Sequence, residues 1–472
     1  YWIWKMDEKG KPEWQKSYGG NGVDLLQSVK LTNDGGYILG GSSNSNSGND
    51  KKEDSKGFDD LWIVKLDAKG NEIWQRTIGG SGQEKLASIA QTKDGGYIIG
   101  ASSSSFRTEM DTDKFGKSED SRGSMDYWVV KLDDKGNIKW QKTIGGQYID
   151  ELKSIEQTND KGYIIGGYSN SPISGEKIQE NFGLNDYWIV KLDEDGNEMW
   201  QQTLGGDKDD NLFGLTQTID GGFILGGNSN SGATNSKSKS NKKGTDFWVI
   251  KIGKSGAIEW QETYNYGEID VLTSIVENKD GTFLIGGYVQ SEAKSKGQTI
   301  KGNQSKVSKD GKDKEGINDY IALKIKATGE EIWTQTVGSK GDEILKKLFE
   351  TRDGGYILAG TSIGNASRDK NTAIGGSDFW VVKLRDNEKK IEEKKKIEAI
   401  PNPAISFTNV IVTYDYQKGT ATLFDLSGRS MQTIKLTGEK TIPVDLSNLP
   451  QGIYLIEIKT NVSTDGVKVI KK

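Results

Sequence analysis

Apolar and polar positions recur along the chain with a period of about 60 residues, and such a repeat has to be recognised before any single residue is interpreted. One copy runs Leu61-Trp-Ile-Val-Lys-Leu-Asp-Ala-Lys-Gly-Asn-Glu-Ile-Trp74-Gln-Arg-Thr-Ile-Gly-Gly80. Close copies start at Tyr127, Tyr187 and Phe247, a weaker one at Tyr320, a partial one at Phe379, and one opens the chain at Tyr1. The first Trp of each copy stands at 2, 62, 128, 188, 248 and 380, with Ile321 or Ala322 in its place in the divergent copy. A second element, typified by 88–100, recurs with its Asp at 34, 94, 160, 220, 280 and 353.

Each unit holds four short runs of β-branched and aromatic residues separated by turn residues, which predicts four strands. In one unit these are A over 86–92, B over 96–100, C over 127–132 and D over 138–144, with Gly95 and Gly136 supplying the positive φ of tight turns. Alternation in C puts Trp128, Val130 and Leu132 on one face and Tyr127, Val129 and Lys131 on the other. Repeats of four antiparallel strands predict an all-β chain built as a β-propeller, each blade covered by its neighbours. A buried Trp contributes up to roughly 4–6 kcal/mol from ~150–250 Å², so the Trp positions and the Gln75/Thr77, Gln141/Thr143 and Gln201/Thr203 pairs are expected to be structural. The Asp before each strand C (Asp60, Asp126, Asp186, Asp246, Asp378) is expected to bond loop amides.

The repeat region enters at strand C, runs through five full A-to-D sets and leaves after A, B and C. Seven blades are expected, with an upstream D-A-B segment of about 40–50 residues completing the ring. The alternative is six, with the strand of Trp14 closing the last blade and that of Trp2 left over. The chain opens at Tyr1 without Met or signal peptide, which reads as processing or a later start.

Composition narrows the chemistry. The chain has 472 residues with 61 Gly, 13 Trp, 17 Tyr and only 6 Pro, the signature of an aromatic, glycine-punctuated β protein. Histidine and cysteine are both absent, which excludes Ser-His and Cys-His nucleophiles and every His- or Cys-ligated metal. A net charge of −5 gives no general pull toward nucleic acid, and no run approaches the ~18 apolar residues of a membrane span. No cofactor, metal site or catalytic motif is expected.

Length varies in the B-to-C connections (42–59, 102–125, 168–185, 228–245, 288–317 and 361–376), which share one face of a propeller and mark it as the candidate binding surface. Their Ser, Asn, Gly and Lys content, as in 231–244, reads as solvated and mobile. Asp111 and Asp113 begin like a calcium loop, but Phe115 and Arg122 stand where ligands belong. Asp207, Asp209 and Asp210, in a D-to-A crossover, are candidates for Ca²⁺ or a sugar, against a plain exposed acidic turn. An Asp/Glu pair for glycoside hydrolysis is chemically open, yet no carboxylate breaks the repeat pattern.

The propeller reading covers 1–385, and a charged linker, 386–397, follows. Over 398–472 the pattern changes to short β runs at 410–414, 420–425, 431–436, 440–444, 452–459 and 466–470, which predict a small Ig-like antiparallel sandwich. Here Ile400-Pro401-Asn402-Pro403-Ala404, then Leu423-Phe-Asp425-Leu-Ser-Gly428-Arg429, then Leu449-Pro450-Gln-Gly452-Ile-Tyr454, and finally Lys468-Val-Ile-Lys471-Lys472 appear in order. This set resembles the type A C-terminal sorting domain of the Bacteroidota type IX secretion system, with Ile400 where an aromatic often precedes Pro-Asn-Pro. The resemblance implies periplasmic transit, passage through an outer-membrane translocon, capture by a β-barrel shuttle protein, and removal by a sortase-like peptidase with attachment at the cell surface. Strand 452–459 and the Lys-rich end are the implied recognition elements, with Gly428 and Arg429 shaping the sandwich. More loosely, the repeats resemble quinoprotein-like propellers and large surface proteins of the same bacteria, a likeness of fold and not of chemistry. The expected function is a secreted or surface propeller that binds a protein or glycan; a glycan-active enzyme and a part in gliding or adhesion machinery are the alternatives.

Overall fold

The computed structural model describes residues 1–7, 9–107, 114–290, 318–385 and 396–472, and every α- or β-element among them is a β-strand. A two-stranded sheet opens the chain, β1 (Trp2–Met6) with β2 (Pro12–Ser17). Five four-stranded antiparallel sheets follow, each hydrogen-bonded in chain order A-B-C-D. They are β3 (Asp24–Leu31), β4 (Tyr37–Ser43), β5 (Asp60–Leu66) and β6 (Glu72–Ile78); then β7 (Glu84–Gln91), β8 (Tyr97–Ser103), β9 (Asp126–Leu132) and β10 (Ile138–Ile144). The third holds β11 (Asp150–Gln157), β12 (Tyr163–Ser169), β13 (Asp186–Leu192) and β14 (Glu198–Leu204), and the fourth β15 (Asp210–Gln217), β16 (Phe223–Ser229), β17 (Asp246–Ile252) and β18 (Ile258–Tyr264). The fifth is β19 (Ile269–Glu277), β20 (Phe283–Gln290), β21 (Asn318–Ile325) and β22 (Glu331–Val337), and a three-stranded sheet, β23 (Asp342–Glu350), β24 (Tyr356–Ile363) and β25 (Ser377–Leu384), ends the series.

In the five four-stranded sheets strand C is buried on both faces, because such a blade is covered from both sides. Trp128, Val130 and Leu132 pack with the blade before, while Tyr127 and Val129 pack with the blade after. Four strand-C indoles are fixed at the edge as well, Nε1 of Trp62, Trp128, Trp188 and Trp248 donating to the Oε1 of Gln75, Gln141, Gln201 and Gln261 at 3.0–3.1 Å. The A strands carry a bulge after their first Leu, as between Leu152 and Ser154, which turns Leu152 and Ile155 onto one side. Both lie against Gly100 of the preceding blade, where a Cβ would come within 2.7 Å of Ile155 and 2.8 Å of Leu152, so this strand-B position has no room for a side chain. The Lys of strand C and the Asp of the A–B turn pair within each blade, as in Lys65–Asp34, Lys131–Asp94, Lys191–Asp160 and Lys251–Asp220 at 2.8–3.0 Å.

Aromatic contacts join successive C strands at five of the seven boundaries, the other two being closed by Leu61 against the blade of Trp128 and by Phe247 against that of Ile321. Tyr1–Trp62, Tyr127–Trp188, Tyr187–Trp248 and Tyr320–Trp380 have ring centroids 4.6–5.1 Å apart, and Phe379 meets Trp2 at 5.0 Å. The last C strand therefore returns to the first, with seven blade positions. The six-blade alternative is corrected: β2 pairs with β1 and does not join β25. Trp14 of β2 stands edge-on to Tyr37 of the next blade at 5.6 Å, the role Trp74 plays toward Tyr97 at 5.7 Å, so β2 is strand D of its own blade.

The C-terminal residues form a separate sandwich. One sheet orders β26 (Ile397–Ile400), β27 (Phe407–Val412) and β30 (Thr441–Asp445); the other orders β29 (Ser430–Leu436), β28 (Gly419–Phe424), β31 (Gly452–Thr460) and β32 (Thr464–Lys471). Val410, Val444, Leu423, Ile456, Ile458 and Val469 belong to the core between the two sheets. The first strand, β26, has no counterpart among the expected runs, because four residues are too few to show a period. The sandwich meets the propeller on the side of the short A–B turns, through Ser406 Oγ donating to Asn33 O at 3.2 Å and an Arg352–Glu398 pair at 3.3 Å. The B–C connections leave from the opposite ends of the strands.

Candidate functional site

In the terminal sandwich, motifs far apart in sequence meet. Both proline bonds, Ile400–Pro401 and Asn402–Pro403, are cis. Between them Asn402 imitates a strand: its Nδ2 donates to Lys468 O at 2.6 Å and its Oδ1 accepts from Ile470 N at 2.9 Å. Ala404 N donates to Ile470 O at 2.7 Å and Lys472 N to Ala404 O at 2.8 Å, so the Pro-Asn-Pro-Ala loop seals the outer edge of β32. Pro401 O accepts from Thr408 Oγ1 at 2.9 Å. The loop thus holds Lys468, Lys471 and Lys472 in place at the edge of the sheet, with Lys468 and Lys472 exposed.

Asp425, Gly428 and Arg429 form the β28–β29 turn. Asp425 Oδ1 accepts from Ser427 N at 2.9 Å and Arg429 N at 3.0 Å, and Gly428 takes φ +81°. Bonds from Ser427, then from Arg429, hold the Asp425 carboxyl below its ordinary range. Tyr454 is buried and donates to Pro450 O at 2.8 Å, which folds the Pro450-Gln-Gly452 corner onto the start of β31. Next to it Ile453 and Leu455 point outward, and in the register Leu455 lies between Phe424 and Lys468. Among the sorting residues, then, Asn402, Asp425, Gly428 and Tyr454 build the domain, while the lysines and the outer side of β31 are presented.

Where they are described, the B–C connections differ from the expected solvated linkers; most of the one at 288–317 lies outside the described residues. Lys51, Lys117, Lys177, Lys237 and Lys370 are all buried. Lys51 Nζ donates to Ser45 O and Glu53 O at 2.8 Å, and Lys177 Nζ to Gln179 O and Thr203 Oγ1 at 2.9 Å. Ser45, Ser105, Ser171 and Ser231 are fully buried and donate to Asp24, Glu84, Asp150 and Asp210, the acids that open the A strands, at 2.5–3.1 Å. Polar satisfaction, not apolar burial, orders these loops. A signal existed in the sequence: four of the lysines stand eleven residues before the strand-C Trp, at 51/62, 117/128, 177/188 and 237/248.

The strand-C acids cap the same loops. Asp186 Oδ2 accepts from Phe182 N at 2.5 Å, and Asp126 Oδ2 from Arg122 N. Burial, with Asp150 behind it, pushes Asp126 up to about 6, and burial with Asp210 does the same for Asp186. Glu84 rises to about 7 and Asp270 to about 7, again chiefly through burial. Of the crossover acids, Asp210 turns inward, whereas Asp207 accepts from Gly232 N at 2.7 Å and Asp209 from Asn185 Nδ2 at 3.1 Å. Each is taken up by its own chain, so they do not form one exposed acidic turn. Among the described residues no group of three or more Asp or Glu side chains is arranged for a metal ion, and no helix is long and apolar enough to cross a membrane. Asp111 and Asp113 lie outside the described residues.

Residues 398–472 match the family described as secretion system C-terminal sorting domain. Over 181 residues, 38% of this chain, the sequence is 23% identical to the regulatory protein FlaEY of Caulobacter vibrioides; the match spans only 19% of that relative's length. Among solved structures, a protein of unknown function from Dyadobacter fermentans is 10% identical, with 78% of this chain and 96% of that one covered and a TM-score of 0.37. Puromycin hydrolase is 9% identical, covering 92% and 58% with a TM-score of 0.39, and the apocarotenoid oxygenase of Synechocystis is 9% identical, covering 90% and 96% with a TM-score of 0.37. At these values no residue role passes from them to this chain. The sorting domain marks the chain as type IX secretion cargo, exported to the cell surface or the medium.

Proposed function

We propose that this chain is a surface or secreted β-propeller that binds a protein or glycan through its B–C face and performs no catalysis of its own. Its sorting domain engages the β-barrel shuttle and translocon of the type IX system through the lysine edge of β32 and the outward side of β31, and is a substrate for a sortase-like peptidase. One observation carries the binding role. The described B–C connections are pinned by buried lysines and serines, yet they hold out large apolar side chains, Phe58, Phe106, Ile173, Ile178, Leu184 and Ile374, all exposed. Apolar groups on well-held polar loops are the mark of a recognition surface. The sandwich sits on the other side and leaves this face open.

Two arms test the reading separately. In a bacterium carrying the type IX system, the full chain is expected at the surface or in the medium, and the chain lacking 398–472 in the periplasm; equal export of both would refute the sorting role. The purified chain is then presented to deglycosylated and untreated cell envelopes. Ile178→Ser with Leu184→Ser is expected to lower retention at least tenfold without changing the melting temperature, and unchanged retention removes the B–C face from consideration.

A further inference from the structure

The A strands have one side that keeps to the repeat and one that departs from it. They are the innermost strands, since β3 packs on β7, β7 on β11, and so on to β23. Toward the preceding blade each offers a Leu, at 26, 86, 152, 212, 272 and 345, then a branched aliphatic at 29, 89, 155, 215, 275 and 348. Packing between blades fixes that side. The other side follows no such rule. One row reads Lys30, Ala90, Glu156, Thr216, Val276 and Phe349, and Lys347 stands where four other blades carry Ser and one carries Gly.

This second side is charged, and its sign opposes that of the chain. It holds five lysines, Lys30, Lys85, Lys153, Lys346 and Lys347, against two glutamates, Glu151 and Glu156, in a protein of net charge −5. These side chains converge on the axis. Glu156 and Lys347 both sense the ammonium of Lys30, although β11, β23 and β3 belong to three blades of which no two are neighbours. Lys347 is open to solvent yet ringed by protein, and that enclosure, followed by Lys30, lowers it. Both acids are engaged by the protein: Glu151 accepts from Lys153 and, at 2.9 Å, from the Tyr168 hydroxyl, and Glu156 Oε2 accepts from Gln217 N at 3.2 Å. By contrast, Lys30, Lys85, Lys346 and Lys347 meet no side-chain hydrogen-bond acceptor or ion-pair partner among the described residues. Ammonium groups facing one another across an enclosed space are unfavourable until an anion joins them.

The lysines are spread along the axis. Lys85 stands at the B–C end of its strand and Lys30 near the A–B turn, roughly 13 Å further on at ~3.3 Å per residue. Near the entrance Lys153 Nζ lies 5.3 and 5.5 Å from the ring centres of Tyr168 and Phe213, both half-exposed. Cations at several levels, with acids among them and aromatic rings at the mouth, match an elongated ligand that alternates carboxylates with hydroxyls. A phosphate backbone, charged at every unit, is disfavoured by Glu151 and Glu156.

We propose that the axial channel, entered from the B–C face, binds one strand of a carboxylated polysaccharide, with Lys30 and Lys347 holding a carboxylate at the inner end and Tyr168 and Phe213 flanking the entrance. The site is separate from the apolar rim of the B–C loops, so each stands or falls alone.

The test is calorimetric titration of the full chain with tri-galacturonate, with maltotriose as a neutral probe of equal length. Saturable binding of tri-galacturonate alone is expected, weakening as salt is raised. Lys30→Ala with Lys347→Ser introduces residues that sister blades already carry. It is expected to weaken binding at least tenfold with the melting temperature unchanged or higher, while Lys347→Arg alone retains it. Lys208→Ser, on an exposed crossover of the same face, and Ile178→Ser with Leu184→Ser are expected to leave the affinity unchanged. Absence of tri-galacturonate binding, equal affinity for maltotriose, an undiminished affinity in the Lys30 and Lys347 variant, or an equal loss from Lys208→Ser would each overturn the proposal. Tighter binding of a single-stranded oligonucleotide would overturn it in favour of a nucleic acid.

Discussion

Tyr187 donates its hydroxyl hydrogen to the main-chain carbonyl of Trp248, 3.0 Å away in the next blade, and Tyr127 makes the same 3.0 Å bond to Trp188. Both phenols are fully buried, and burial holds them well above the ordinary phenol range. The bond answers a polar group that would otherwise be stranded in the packing between blades. Tyr187→Phe is expected to cost about 1 kcal/mol, and Trp248→Ala about 3–5 kcal/mol through the cavity it leaves, both read from urea denaturation.

Two glycines should respond differently to the same change. A Cβ on Gly79 would stand 1.9 Å from Asp60 Oδ1 and 2.8 Å from Glu84 Oε2, so Gly79→Ala must displace a buried carboxylate. Gly95 has φ +85° and open space around it. Gly95→Ala is expected to cost about 1 kcal/mol from backbone strain alone, and Gly79→Ala at least twice that. Equal unfolding midpoints for the two variants would contradict this steric account.

Lys177 is the pin of its loop. Burial lowers it to about 8 despite Asp150 and Asp186 nearby. Lys177→Ala leaves Gln179 O and Thr203 Oγ1 without this donor and is expected to cost about 3 kcal/mol. Limited proteolysis should find new cleavage within 168–185, and resistance equal to the parent chain would show that the loop is held by other bonds.

Stability should fall as pH rises through neutrality. Glu84, Asp126, Asp186 and Asp270 titrate in the fold at about 7, 6, 6 and 7, above their ordinary 4.5 and 3.8. A carboxyl raised by folding stabilises fully below its unfolded value and loses that contribution as pH passes its folded one. Asp220, Asp280 and Asp353, lowered to about 2 despite partial burial by hydrogen bonds and their lysines, act oppositely and are lost only toward strong acid. The melting temperature is expected to peak near pH 4–5 and decline to pH 8. Asp126→Asn together with Asp186→Asn should flatten the decline.

Asn402 links the two ends of the sorting domain. Asn402→Ala removes the bonds to Lys468 O and Ile470 N and is expected to cost the sandwich about 1–2 kcal/mol. Faster exchange over 464–471 and a lower exported fraction should appear together, and loss of export with unchanged exchange would mean that Asn402 is itself a contact for the machinery.

Local chemistry made much of this legible. The Asp-Gly turns, the paired Trp and Gln and the alternation of strand C are short-range patterns, and they appear where expected. The buried lysines were missed because a Ser, Asn and Lys composition looks the same whether water or carbonyls receive the ammonium. The strand-A bulge was invisible for a related reason: Leu152 and Ile155 fall on opposite faces of an ideal strand, and only the extra residue between them brings both to one side.

By itself the sequence determined the repeat, the four strands of each unit and the address at the end, because each rests on neighbours within a few residues or on an ordered motif. The tertiary structure decided how many blades the circuit holds, that β2 belongs with β1 and not β25, and that Asn402 reaches Lys468. Those outcomes depend on contacts between residues dozens to hundreds of positions apart, where the free energy lies in shape-matched burial and in which backbone edge remains open.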